Sequence, residues 1–100
     1  MSEVSGSEQS EGVRFNITPR ARRFGYVIWP RKQGSLVRDL VGEERSVIRV
    51  YFNGTGLGEK RVDWRNCRIS VGKTNTSAVP LTSTSFVLEF SDDALHVWCR

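Results

Sequence analysis

The run Phe24-Gly25-Tyr26-Val27-Ile28-Trp29 is apolar, rich in aromatic and β-branched residues, and ends at Pro30, which has no N–H to give to a sheet. Such a run reads as a strand, with Phe24, Tyr26 and Ile28 on one face and Gly25, Val27 and Trp29 on the other. Its near-continuous apolarity predicts that both faces are largely covered. Cations bracket it: Arg20, Arg22 and Arg23 before, Arg31 and Lys32 after. The remaining chain must therefore build a core around a strand whose ends stay in water.

Residues 1–12 are Ser, Glu and Gly with almost nothing to bury, which predicts a disordered acidic tail ahead of a single β-barrel-like domain over residues 13–100. Residues 14–18 alternate as a short strand that stops before Pro19, and residues 20–23 read as a solvated basic loop. Ser35 is placed to cap a short helix with Leu36, Val37, Leu40 and Val41 on one stripe and Gly42 as its stop. Residues 47–52 alternate cleanly, with Ile48, Val50 and Phe52 inward and Arg49 outward. A glycine-rich turn over residues 53–58 leads to a hairpin through Val62 and Trp64. It turns at Arg65-Asn66 and returns with Cys67, Ile69 and Val71 on one face. Residues 73–85 read as a long polar loop with a brief strand over residues 79–81, and residues 86–90 and 95–99 as a second hairpin around Asp92-Asp93. The sum is a mainly β protein, a small antiparallel pseudobarrel of six to seven strands with one short helix.

The formal charge is +4, and its placement says more than its size. Between Glu11 and Asp39 every charge is positive; a second basic group, Lys60, Arg61, Arg65, Arg68 and Lys73, is interrupted only by Asp63. This asymmetry predicts an oriented positive face suited to a polyanion. The candidate contacts are Arg20, Arg22, Arg23, Arg31, Lys32, Lys60, Arg61, Arg65, Asn66, Arg68 and Lys73. Arginine grips phosphate or guanine through two parallel hydrogen bonds, and an Arg and an Asn at a hairpin tip suit base edges. Duplex DNA is the favoured partner. Stacking of a single strand on Tyr26 or Trp29 is the alternative among nucleic acids. An acidic protein met by the same face is the alternative of a different class.

No catalytic set is legible. The loop over residues 54–60 has Glu59 where a phosphate-binding loop needs Gly, and Arg61 where it needs Ser or Thr. His96 and Cys99, three apart on a strand, fall on opposite faces. One histidine and two cysteines without a CxxC give no usual zinc site, so no metal, cofactor or enzymatic activity is expected. Cys67 and Cys99 read as reduced core thiols, with a bridge between them and use of the sequons at Asn16, Asn53 and Asn75 reserved for an exported chain. The chain shows neither an apolar run long enough to span a bilayer nor signal-peptide regions near Met1, so an intracellular location and no membrane partner are expected.

The order of basic tract, the strand Tyr26-Val27-Ile28-Trp29-Pro30-Arg31-Lys32, short helix, the Trp-bearing hairpin Arg61-Val62-Asp63-Trp64-Arg65-Asn66 and a closing strand pair resembles the DNA-binding pseudobarrel of auxin-response transcription factors and restriction-endonuclease effector domains. The resemblance covers residues 14–100. It implies two arms clamping the major groove, one at Arg20, Arg22 and Arg23, the other at Arg65 and Asn66. The sequence departs from that pattern at Trp29, in place of a smaller aliphatic residue, and at Ser83-Thr84-Ser85, in place of a Gly-Asp signal. The stretch through Trp29-Pro30 and the strand after it also resembles the swapped-hairpin domain of transition-state regulators and antitoxins, over about half the chain.

Overall fold

A computed structural model describes residues 12–42 and 45–100. The expected acidic tail therefore lies, but for Gly12, outside the described residues. The strands are β1 (Val13–Asn16), β2 (Tyr26–Ile28), β3 (Val47–Phe52), β4 (Thr55–Asp63), β5 (Arg68–Ser70), β6 (Ser85–Ser91) and β7 (Ala94–Cys99). The helices are α1 (Pro19–Phe24), α2 (Gly34–Val41) and α3 (Lys73–Ser77), with a 3-10 turn at Arg31–Gln33 ahead of α2. The seven strands form one curled sheet, a half-barrel in the order β1-β6-β7-β3-β4-β5-β2. The mainly β architecture anticipated from alternation is present. Every pair is antiparallel except β3 with β7.

The inner face is continuous across the register. Val13 and Phe15 oppose Leu88 and Phe86, Leu88 opposes Val97, Val50 and Phe52 align with Leu95 and Val97, and Val62 and Val27 flank Ile69. All are buried. Phe86 meets Phe15 and Phe52 edge to face at 6.0 and 6.3 Å, and Trp29 meets Trp64 the same way at 6.0 Å. Val37 and Val41 of α2 complete this core, with α2 resting on β1 and β6.

Local expectations meet three corrections. Residues 20–23 are not a loop: α1 forms because Thr18 accepts a hydrogen bond from the Ala21 N–H at 3.1 Å, Pro19 occupies the first turn, and Gly25 closes the helix at φ 78°. Consequently β2 begins at Tyr26, and only its inner face, Val27 and then Trp29, is fully covered; Tyr26 and Ile28 are half-buried. The loop after β5 contains α3 and no strand near Val79. Its residues have weak helical preference, and side chains hold it instead: Asn75 Nδ2 donates to Val71 O at 2.7 Å and Thr76 Oγ1 to Arg22 O at 2.9 Å. Ser35 lies inside α2, whose C-terminus is the expected one, with Gly42 at φ 96° donating to Arg38 O.

The tight connections follow the chemistry of their residues. Asn53-Gly54 turns β3 into β4 with both φ angles positive, as do Asp92-Asp93 between β6 and β7. Leu57 is an extra residue opposite Val50 and Tyr51, a bulge that bends β4. Among the described residues no helix is long and apolar enough to cross a membrane.

Candidate nucleic-acid interface

The β4–β5–β2 side of the half-barrel carries most of the candidate residues, grouped at two ends and along one outer face. At one end α1 packs on α3. The contact is close: a Cβ on Gly25 would sit 2.5 Å from the Lys73 N and 2.6 Å from the Gly72 carbonyl carbon, and Gly25 O accepts from the N–H groups of Val71 and Gly72. Lys73 is thereby fixed beside the end of α1. Arg20 and Arg23, three apart and so on one side of the helix, are exposed. Neither has a hydrogen bond or ion pair among the described residues.

Arg22 differs from both neighbours. Its guanidinium donates to Val79 O at 3.0 Å, Pro80 O at 3.2 Å and Ser83 O at 2.7 Å. It is a clamp between α1 and the turn after α3, with three of its N–H donors engaged. Adjacent residues on a helix point about 100° apart, and that rotation separates the clamp from the free cation beside it.

Along the outer face, Tyr26 pairs with Ser70, Ile28 with Arg68 and Asp63 with Arg68. Arg68 lies 4.5 Å over the Tyr26 ring and its Nε donates to Asp63 Oδ2 at 3.3 Å. Arg61 is exposed on the same face, and the group lines a shallow hollow with Ser70. Lys60 is not with them. It opposes buried Ile48 and so belongs to the other face.

At the far end stands the β4–β5 tip. Asp63 accepts from the Asn66 N–H at 3.1 Å and from Asn66 Nδ2 at 2.9 Å, and Cys67 takes φ 58°. Trp64 donates to Arg45 O at 2.6 Å. The tip is thus rigid, and Asn66 is part of its frame. Arg65 alone of the tip's polar side chains is exposed with no partner among the described residues. Cys67 O accepts from the Trp29 N–H at 3.0 Å, so the end of β2 lies beside the tip; exposed Arg31 and Lys32 follow Pro30, and Lys32 lines a hollow with Arg14, Asn16 and Thr18.

Asp63 organises this end, a role the charge pattern alone did not reveal; the Asp-x-x-Asn spacing of a side-chain-closed turn was the available signal. Its two bonds from Asn66, and then the Arg68 guanidinium, hold the carboxyl below its usual 3.8. A depressed folded value means that the stabilisation is present above the usual value and is lost as pH falls through the folded one. Acidification from pH 6 toward 2 is expected to release Asn66 and Arg68 of the tip, read as amide shifts of Asn66 and Arg68 by NMR. Asp63→Asn removes that response while the core signals stay in place.

The remaining chemistry-bearing side chains lie elsewhere. His96 stacks on Tyr51 at 5.0 Å and on Trp98 at 6.4 Å, on the outer face of β7 and β3. Cys99 packs against the core on the opposite side, and burial pushes its thiol up. Cys67 and Cys99 are both free. Among the described residues no group of three His, Cys, Asp or Glu could hold a metal ion. Compared with known proteins, the chain matches no family model, no curated sequence and no solved structure.

Proposed function

We propose that this protein is a non-enzymatic module that binds double-stranded DNA through the β4–β5–β2 side of its half-barrel. The observation that carries the reading is the division among the cations. Arg20, Arg23 and Lys73 at one end, Arg61 between, and Arg31, Lys32 and Arg65 at the other stand exposed and, among the described residues, without partners on a rigid frame, while Arg22 and Arg68 are spent in building that frame. Of the two acids on the outer face of β4, Asp63 is satisfied internally and Glu59 sits opposite Arg49. From Gly25 to Pro30 the two ends are roughly 17 Å apart at strand rise. That separation suits a major groove about 12 Å wide together with its flanking phosphates.

In this reading exposed Arg65 at the tip reads guanine, and the other exposed cations supply sequence-independent phosphate contacts. Single-strand stacking has less support, because the aromatic faces are occupied: Trp29 is 2% accessible, Tyr26 lies under Arg68, and Tyr51, His96 and Trp98 cover one another. The resemblance to the DNA-binding pseudobarrel agrees with this reading, its two arms corresponding to α1 and to the β4–β5 tip.

Fluorescence anisotropy of labelled duplex and single strand over a salt series tests it. Saturable duplex binding is expected, weakening steeply with salt. The Arg20→Ala/Arg23→Ala double variant is expected to lower the slope of log K against log salt by about 1 to 2, near 0.9 per lost phosphate contact. No duplex binding at low salt, or an unchanged slope in the double variant, overturns the proposal. A salt-resistant complex with an acidic protein and none with DNA points to the other class of partner.

A further inference from the structure

The turn after α3 carries the most exposed large apolar side chain among the described residues, Leu81, 87% accessible. A lone exposed leucine on a loose loop means little. Leu81 is held differently. Its turn is closed by the Ser83 N–H donating to Pro80 O at 3.0 Å and is fastened to α1 by the three Arg22 bonds to Val79 O, Pro80 O and Ser83 O. Leu81 forms one wall of a groove that Arg23, Pro19, Ser77 and Val79 also line. The ionised side chains of this groove are arginines, and Arg22 is already committed.

We infer that this groove receives the sugar–phosphate backbone of one DNA strand, with a phosphate on Arg23 and the adjoining deoxyribose against Leu81. The inference rests on the duplex-DNA reading above. Charge decides the class of ligand, because a cationic side chain with no partner among the described residues borders an apolar wall. Scale decides the part of it. Arg23 and Leu81 share one groove, so they meet groups about one nucleotide apart, and the apolar surface nearest a bound phosphate is the carbon face of its sugar. A 2′-hydroxyl pressed on Leu81 would lose water and gain no hydrogen bond. The contact therefore favours DNA over RNA at this strand.

The experiment compares wild type, Leu81→Ala and Leu81→Met on a labelled DNA duplex and on the same duplex with one strand made of RNA, over a salt series. Leu81 is outside the core, and a thermal melt verifies that each variant stays folded. Leu81→Ala is expected to bind the DNA duplex about fivefold more weakly, the effect of exposing part of one leucine side chain. Its salt slope is unchanged, its preference for the DNA duplex over the hybrid shrinks, and Leu81→Met restores both. Unchanged affinity in Leu81→Ala, with wild type binding normally, overturns the contact and leaves the duplex reading standing. An equal loss on DNA and hybrid overturns the sugar assignment. Failure of the wild type to bind either duplex overturns the duplex reading and this inference with it.

Discussion

Gly25→Ala is expected to destabilise the protein by roughly 3–5 kcal/mol, lowering the melting temperature by about 15 °C or more, and to weaken the proposed duplex binding. Two independent causes add. Gly25 sits at φ 78°, where a Cβ clashes with its own backbone, and that Cβ would lie 2.5 Å from the Lys73 N. Backbone cannot rotate away as a long side chain can, so α3 must move off α1. The movement also costs the bonds from Val71 and Gly72 to Gly25 O and from Thr76 to Arg22 O. Against a total stability of about 5–15 kcal/mol, this is a large fraction. A thermal melt measures it directly; a variant melting within about 3 °C of wild type shows that α1 and α3 are not rigidly joined. Gly42→Ala is the control, since Gly42 shares a positive φ but has open space around its Cβ position. It is expected to cost only the backbone part, about 1 kcal/mol.

The contrast between these glycines shows what local pattern conveys and what it omits. Gly42 as a helix stop, the inward positions of β3 and the hairpins around Arg65-Asn66 and Asp92-Asp93 are properties of a few neighbouring residues, so alternation and turn chemistry reveal them. Gly25 looks like one more small residue inside an apolar run. Its role depends on Lys73, far along the chain, and no window of sequence brings the two together. The same holds for the parallel pairing of β3 with β7, which joins strands separated by β4, β5, α3 and β6. It holds as well for α3, whose helix survives on contacts from Arg22 and Val71 rather than on its own propensity. For α1 the signal existed: Thr18 and Pro19 ahead of Gly25 are start and stop residues. Six residues carry too little periodicity to outweigh the run of charge, which reads as loop.

Charge placement gave the candidate interface its outline, but not its membership. Arginines look alike in sequence, and their partners distinguish them. Arg68 faces Asp63 because β4 and β5 pair in that register; Lys60 leaves the face because it is one residue out of phase with Arg61. Asn66 reads as a base-contacting amide until Asp63 is seen to hold both its N–H and its side chain. The proposed binding surface is therefore smaller and stiffer than the count of basic residues implies. A stiff surface loses less side-chain freedom on binding, which favours affinity for a rigid partner such as a duplex.

Arg22 and Arg23 allow the distinction between frame and contact to be measured with one conservative change at each position. Arg22→Lys keeps the charge but cannot reach three carbonyls with a planar fork, since a lysine ammonium sits at one point. It is expected to destabilise the fold by about 2–3 kcal/mol, nearly as much as Arg22→Ala, because the carbonyls of Val79, Pro80 and Ser83 lose charged donors together. Its salt slope for DNA, measured below the melting transition, should match that of wild type. Arg23→Lys is expected to melt like wild type and to keep most of the salt slope, while Arg23→Ala lowers the slope by about 1 and leaves stability unchanged. The two positions thus move different observables: melting temperature at Arg22 and salt dependence at Arg23. If Arg22→Ala leaves the melt unchanged, the clamp does not stabilise the turn that presents Leu81. If Arg23→Ala leaves the salt slope unchanged, Arg23 does not touch phosphate and the groove beside Leu81 does not hold the DNA backbone; if the Arg20→Ala/Arg23→Ala double variant leaves it unchanged as well, the duplex proposal falls with it.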